Sequence, residues 1–314
     1  MPIYKAPARD TRFVLNEVLK LEQYAALPTF ENAGADMVDT IVEECGKFAA
    51  EVLAPLNPVG DKQGCTRNAD GSVTTPDGFK DAFKLYRESG WGTLSSPEEF
   101  GGQGMPHVLG FVVEEFVATA NHAFGMYPGL TNGAVSAILA KASPELQAKY
   151  LPKMVTNEWL GTMNLTEPHC GTDLGLIRTR AVPQADGSYS ITGTKIFISA
   201  GEHDLTDNII HLVLAKTPDA PESSKGISLF IVPKFRVHDD GQLGPHNDVN
   251  LAGLIHKMGW RGTTSTMLSF GERDACHGEL IGPPHQGLAC MFQMMNEARI
   301  GVGMGAAMLG YRGY

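Results

Sequence analysis

Hydrophobic and polar positions follow two periods along this chain, and the period changes twice. In the first half the spacing is helical. Met37, Val38, Ile41, Val42, Cys45, Phe48, Val52 and Leu53 fall on one face, with Glu43, Glu44 and Lys47 between them. Pro55 and Pro58 are expected to end that helix. The stretch "GFKDAFKLYRESG" predicts a second helix closed by Gly90. "HVLGFVVEEFVATAN" is strongly apolar and predicts a buried segment, and "NGAVSAILAKA" follows it. Ser143, Pro144 and Glu145 read as the cap and first turn of another helix.

Near Trp159 the pattern turns to strands. "SYSITGTKIFIS" alternates and is rich in β-branched and aromatic residues, and "NIIHLVLAKT", "GISLFIVPKF" and "TSTMLSFG" resemble it. Turn clusters such as Ala185-Asp186-Gly187 and "TPDAPESSKG" separate them. Short strands at this spacing predict a small sandwich or barrel. After Gly287 the helical period returns, with Leu288, Met291, Phe292, Met295 and Ile300 expected on one face. The sequence stops at Tyr314 inside this pattern. A lone last helix has nothing to bury its apolar face against, so a fragment, or partners from another chain, is expected. The expected division is an N-terminal extension (1–30), a helical domain (31–158), a β-domain (159–285) and the first helix of a truncated C-terminal helical domain (286–314). The fold class is α+β multidomain.

Composition narrows the function. The 314 residues are 43% hydrophobic and 19% charged, which suits a globular chain of two or three domains. A net charge of -10 argues against nucleic-acid and polybasic membrane partners. No run of about 18 apolar residues occurs, so no membrane span is expected. The first residues lack the apolar core of a signal peptide. The five cysteines are scattered, odd in number and without C-x-x-C spacing, which argues against a disulfide framework and a structural zinc site. A reducing, cytoplasmic setting is expected. Asn164-Leu165-Thr166 matches a glycosylation sequon, taken as chance in the absence of a secretory signal.

One stretch concentrates chemistry: "MNLTEPHCGTDLG", Met163 to Gly175. Glu167, His169, Cys170 and Asp173 are metal-ligand types, but Pro168 and the spacing fit no common ligand pattern. Cys170 has no recognisable nucleophile signature around it. A third reading is a backbone cradle, with Pro168, Gly171 and Thr172 turning N–H groups and hydroxyls toward a ligand. On spacing alone, an ordinary polar turn between a helical and a strand region is the stronger reading.

"LTEPHCGTDLG" followed by "DGSYSITGTKIFISAGEHD" closely resembles the acyl-CoA dehydrogenase family, in which a T-E-P-x-x-G-[ST]-D loop precedes a G-x-K-x-[WF]-I-[ST] strand. "GWGTLSSPEEFGGQGMP" upstream, and "HKMGWRGTTSTMLSF", "LIGPPHQGLACMFQMMNEAR" and "VGMGAAMLGY" downstream, fit the same family. The first residues resemble the extension of its longer bacterial branch.

The resemblance implies non-covalently bound FAD. The reaction implied is α,β-desaturation of an acyl-CoA thioester, with a carboxylate removing the α-proton and the β-hydrogen passing as hydride to flavin N5. It also implies electron-transferring flavoprotein as partner and a homo-oligomer when full length. Such chemistry needs a polarised thioester carbonyl and a base in a water-poor pocket. By resemblance, Met163, Asn164, Leu165 and Thr166 line the isoalloxazine, with Thr166 on its pyrimidine side. Gly171 lets the backbone come close to the cofactor. Thr172 contacts flavin phosphate or substrate. Phe197, Ile198 and Ser199 form the aromatic-x-hydroxyl strand, Phe197 packing on the ring and Ser199 donating toward N5. Asn296 and Arg299 contact acyl-CoA.

The pattern departs from the family at the base. Most members carry the catalytic glutamate beyond the position of Tyr314, and others carry it directly before the arginine, where this sequence has Ala298. Glu297 is one residue further back, rotated by about 100° on a helix, and reads more readily as a surface or structural carboxylate. The catalytic residue is therefore unassigned, and the 314-residue chain alone is expected to have little activity. A flavin oxidase of the same fold and a non-catalytic acyl-CoA-, flavin- or partner-binding module are the alternatives.

Overall fold

The structure, a computed structural model, describes residues 4–314. Positions 1–3 of the expected extension lie outside the described residues.

Helix α1 (Ala8–Phe13) runs into a π-turn and lies against α2 (Ala35–Phe48), where Arg12 pairs with Asp39 at 3.1 Å. Val38, Ile41, Val42 and Cys45 of α2 are buried, while Met37 is turned out to solvent. The helix does not end at the prolines. A π-turn over Ala49–Leu53 leads into α3 (Ala54–Gln63), which contains both Pro55 and Pro58 and stops at Gly64, φ +64°. The π-turn shifts the hydrogen-bond register ahead of Pro55, which then falls in the first turn of α3, where a missing N–H breaks no intrahelical bond.

A hairpin of β1 (Thr66–Arg67) and β2 (Val73–Thr74) precedes α4 (Phe79–Glu88), after which Gly90 turns the chain at φ +72°. The two apolar stretches of the sequence form one 35-residue element, α5 (His107–Lys141), kinked at Asn121. There the Asn121 side chain accepts from Phe124 N at 3.1 Å, acting as a cap for the second half. Helix α6 (Pro144–Val155) opens as its sequence predicts, with Ser143 Oγ accepting from Leu146 N.

An eight-stranded sheet follows: β3 (Trp159–Asn164), β4 (Arg180–Pro183), β5 (Tyr189–Ser199), β6 (Asn208–Lys216) and β7 (Ile227–Pro233), then β10 (Val249–Leu254), β11 (Ser265–Phe270) and β12 (His277–Ile281). The short pair β8 (Phe235–Val237) and β9 (Leu243–His246) stands apart from it. The strand order is β10-β11-β5-β12-β7-β6-β3, with β4 against β5 and β6. β5 is long enough to serve two neighbourhoods: its first half pairs with β4 and β12, its second half with β11.

β6 and β7 are apolar throughout because both faces are covered. Ile210, Leu212, Leu214, Leu229 and Ile231 join the helical core, while Val213, Ala215, Phe230 and Val232 belong to a second core inside the β-domain.

The last element, α7 (Gly287–Gly313), packs on α5 and on β7. Its first residue fits only as glycine: an added Cβ would lie 2.1 Å from the Ser228 carbonyl carbon. Its buried face is Cys290, Met291 and Met294, flanked by Leu288 and Met295. Phe292 and Ile300, expected on that face, point outward. Among the described residues no helix is long and apolar enough to cross a membrane.

Candidate functional site

β3 leaves the sheet at Asn164 and its continuation stays beside β5. Thr166 O accepts from Ile196 N at 2.9 Å, and Lys195 Nζ donates to Leu165 O at 3.0 Å. The turn that follows is closed by reciprocal bonds between Glu167 and Cys170, 2.8 and 3.0 Å. Below it, the Glu167 carboxylate accepts from Lys195 Nζ (2.9 Å), Thr179 N (3.0 Å), Thr179 Oγ1 (2.6 Å) and Arg178 N (2.7 Å). Burial pushes the Glu167 carboxyl up, but the Lys195 charge and these donors outweigh it and hold the group below its ordinary value. Lys195 is fully buried, so the pair is an internal anchor for the turn rather than reacting groups.

The strand side of the wall is irregular. The β5–β11 register slips, so that Ile196 and Phe197 together face Met267. Phe197 sits at φ +61°, a left-handed conformation costly for a bulky side chain. The residue is 63% exposed, although it belongs to a strand whose neighbours Lys195 and Ile198 are buried. Ser199 is half-buried opposite Ser265, and Ala200 is again left-handed at φ +56°. Strain of this kind persists where the surroundings impose it, and it marks binding sites. Gly171 brings its backbone against Thr166, where an added Cβ would lie 3.2 Å from Thr166 Cγ2.

The structure thus brings Thr166 beside the Phe197–Ser199 segment through the Ile196–Thr166 bond, while Met163 and Leu165 pack half-buried against the helical core. Gly171 and Thr172 lie exposed on the adjoining turn. The Asn164 and Ile198 side chains point inward: Asn164 Nδ2 donates to Thr162 Oγ1 at 2.8 Å, and Ile198 packs in the β-domain core. Those two positions can offer a ligand only their backbone.

Glu167, His169 and Cys170 do converge, their ligand-type atoms within 4.8 Å of one another. Protein groups already use them. The Glu167 oxygens are taken as above, and His169 Nε2 lies 2.9 Å from Leu176 O, which makes that nitrogen a proton donor. Asp173 faces away and caps Gly175 N at 2.9 Å. Burial pushes the Cys170 thiol up, opposite to what a nucleophile needs.

A second feature lies between α5 and α7. Two cavities, of about 90 and about 430 Å3, meet at Glu114, Asn132 and Glu297, which line both. Val117, Met126, Leu130 and Met304 give the smaller one apolar walls. Glu114 accepts from Asn132 Nδ2 at 3.1 Å. Burial, then the nearby Glu297 charge, pushes the Glu114 carboxyl up. His122 also lines the smaller cavity, stacked edge-on against Trp260 at 4.5 Å, and burial pushes its imidazole down.

Glu297 is thus half-buried at a cavity boundary that it shares with the Glu114 carboxylate. Asn296 and Arg299 lie outside on the same helix, hydrogen-bonded to each other. The sequence reading missed Glu114, Asn132 and His122. The available signal was the acidic pair inside the otherwise apolar "GFVVEEFVA".

One helix ties the wall to the cavity. Thr131 Oγ1 accepts from Gly161 N of β3 at 3.0 Å, and Gly133 lies where a Cβ would sit 3.0 Å from Met294 Cγ of α7. β3 and α7 therefore share a seat on the second half of α5.

The family model "Acyl-CoA dehydrogenase, N-terminal domain" matches residues 36–158, and "Acyl-CoA dehydrogenase, middle domain" matches residues 162–272. The chain is 43% identical to 3-methylmercaptopropionyl-CoA dehydrogenase of Ruegeria pomeroyi, over 99% of this chain and 52% of that protein. It is 40% identical to a butyryl-CoA dehydrogenase of Syntrophomonas wolfei, over 96% of this chain and 50% of that protein. The chain thus spans about half the length of these curated relatives.

Among solved structures it is similar in fold to an acyl-CoA dehydrogenase complexed with FAD from Bacillus anthracis, at TM-score 0.69 and 23% identity, over 88% of this chain and 43% of that one. It is also similar to butyryl-CoA dehydrogenase from Megasphaera elsdenii, at TM-score 0.68 and 22% identity, over 89% and 67%.

Proposed function

Because the chain belongs to the acyl-CoA dehydrogenase family, we propose that it supplies the flavin-facing wall and the acyl cavity of an FAD-dependent enzyme that desaturates an acyl-CoA thioester. The observation that carries this reading is Phe197: a strained, exposed aromatic ring held beside Thr166 and Ser199. An apolar ring left in water at a conformational cost fits a planar partner that covers it.

The residues present fit a flavin. Phe197 offers a face, Thr166 and Ser199 offer hydroxyls, and the tight Gly171–Thr166 approach leaves the backbone of the turn open to a ligand. Bound FAD would supply the acceptor for the β-hydrogen. The chain's own part is to orient the thioester and keep water out. Val117, Met126, Leu130 and Met304 form the apolar walls that suit an acyl chain. Exposed Asn296 and Arg299 suit the polar coenzyme A portion, and Thr172 the flavin phosphate or substrate.

The α-proton needs a carboxylate that is ionised when it acts. Glu114 is bonded to Asn132 and burial pushes its carboxyl above the ordinary value, while Glu297 lines the same cavity boundary. We infer that the reacting base is neither, and that these 314 residues alone turn over little acyl-CoA. Electron-transferring flavoprotein is the proposed acceptor. The outward Phe292, Ile300, Val302 and Leu309 of α7 support association into a homo-oligomer, and five unpaired cysteines support a reducing, cytoplasmic setting.

The test is the flavin spectrum of the purified protein before and after acyl-CoA. Uptake of FAD and bleaching by acyl-CoA support the reading. A stable, colourless protein that takes up no FAD points to a binding module, and peroxide formed in air points to an oxidase.

A further inference from the structure

A third cavity, of about 190 Å3, lies at the seam between the helical and β-domains; its lining residue Ser265 pairs with Ser199, but none of the residues assigned to flavin or acyl chain lines it. The C-terminal end of α3 and the chain after it (Gln63, Gly64, Cys65) form one side. The hairpin joining β10 to β11 (Leu254 to Lys257, Arg261, Thr263 to Ser265) forms the other.

The hairpin tip is fixed in place by α5. Thr263 Oγ1 donates to Ala123 O at 2.5 Å, Thr264 N donates to Tyr127 Oη at 3.2 Å, and Tyr127 Oη donates to Gly262 O at 3.2 Å. Cys65 Sγ donates to Gly262 O at 3.4 Å from the α3 side. Pinned this way, the tip holds its cations against the seam.

The charge there is uncompensated. His256, Lys257 and Arg261 line the cavity, and no Asp or Glu does. Among the described residues neither Lys257 nor Arg261 forms an ion pair. Lys257 Nζ donates only to Trp260 O, at 2.6 Å, and burial pushes its ammonium down. Arg261 Nε and Thr264 Oγ1 are buried with no hydrogen-bond partner, and Thr264 as a whole is 1% exposed.

Two partly buried cations and an unpartnered buried hydroxyl are costly unless something accepts from them. In a chain of net charge -10, cations that find no acid stand out. Lysine and arginine together, with a hydroxyl and the fork geometry of a guanidinium, suit a tetrahedral oxyanion.

We propose that the cavity between α3 and the β10–β11 hairpin binds a phosphate-sized oxyanion, held by Lys257, Arg261 and the Thr264 hydroxyl. The anion joins the two domains: α3 on one side, the hairpin on the other. The shared chemistry is a phosphoryl group, either free phosphate or the terminal phosphate of a nucleotide.

The test is calorimetric titration of the purified chain with inorganic phosphate and, separately, with ADP, alongside soaking crystals with tungstate. The expected results are saturable phosphate binding, a tungstate peak between Lys257 and Arg261, and about tenfold weaker binding in Arg261→Gln and in Lys257→Gln. Phosphate binding at least as tightly as ADP identifies a free-anion site. Tighter ADP binding, lost in the same variants, identifies a nucleotide phosphate. Circular dichroism checks that the variants fold, and Lys62→Gln, outside the cavity lining, is the charge control. The proposal is overturned by absence of saturable binding of either probe, or by binding that survives both substitutions in one folded chain. None of these readouts involves flavin or acyl-CoA, so failure here leaves the proposed dehydrogenase function standing, and the reverse holds too.

Discussion

The backbone N–H of Ile196 donates to the carbonyl of Thr166 at 2.9 Å, and together with the Lys195 contacts it sets the T-E-P turn against the bulge of β5. It leaves Phe197 as the next residue, with its ring in solvent at φ +61°.

Replacing Phe197 by glycine removes the left-handed penalty of about 1–2 kcal/mol and adds back about 0.5–1 kcal/mol of glycine entropy. The variant is therefore expected to be as stable as the parent or up to about 1.5 kcal/mol more stable in urea unfolding. Flavin affinity is expected to fall about tenfold, since a stacked aromatic contact is lost. A loss of stability together with unchanged flavin binding would mean that Phe197 serves the fold.

Lys195 and Glu167 meet at 2.9 Å with Lys195 fully buried. Lys195→Met leaves a buried carboxylate without its cation and is expected to cost about 3–5 kcal/mol. The double variant Lys195→Met, Glu167→Gln should recover much of that loss. Denaturant midpoints of the three chains decide this.

The same carboxylate sets an acid limit. Its folded-state pKa lies below the ordinary 4.5, so the stability it contributes is complete above that value. It drains away as pH falls from there through the depressed folded value. The double variant should show a shallower loss of stability below pH 4.5 than the parent. An identical acid limb would contradict the assignment.

Glu114 works with the opposite sign. Its folded-state pKa is raised from 4.5, so the folded chain binds more protons than the unfolded one between the ordinary and the raised value. Stability falls as pH rises through that window and stays reduced above it. Glu114→Gln keeps a hydrogen bond to Asn132 and removes the charge. It should be more stable than the parent at neutral pH and equal to it well below pH 4.5. If neither Glu114 nor Glu297 is the base, Glu297→Gln in the active protein should lower turnover far less than the ~10²–10⁴-fold that loss of a proton-transfer group carries.

Much of this architecture was legible because the signals are local. β5, β6 and β7 follow from their β-branched runs, α4 from its glycine stop, and α6 from Ser143. Pro55 misled because a π-turn upstream moved the register, and no residue type announces a π-turn. Phe292 and Ile300 misled because periodicity fixes a helical stripe but not which side of it meets α5. The candidate site was legible only through motif resemblance. The φ of Phe197 depends on a bulge opposite Met267, and the Glu114–Asn132–Glu297 boundary depends on two helices meeting. Both arise from contacts between residues far apart in sequence, which no single-segment pattern records.

The most direct measurement is an FAD titration of the purified apoprotein, followed by flavin absorbance and fluorescence, with Phe197→Ala and Thr166→Val/Ser199→Ala as matched variants. The predicted result is saturable uptake with a perturbed flavin spectrum, weakened in both variants while their unfolding midpoints hold. Uptake that is absent, or present and indifferent to all three side chains, would contradict a flavin wall at this edge of the sheet.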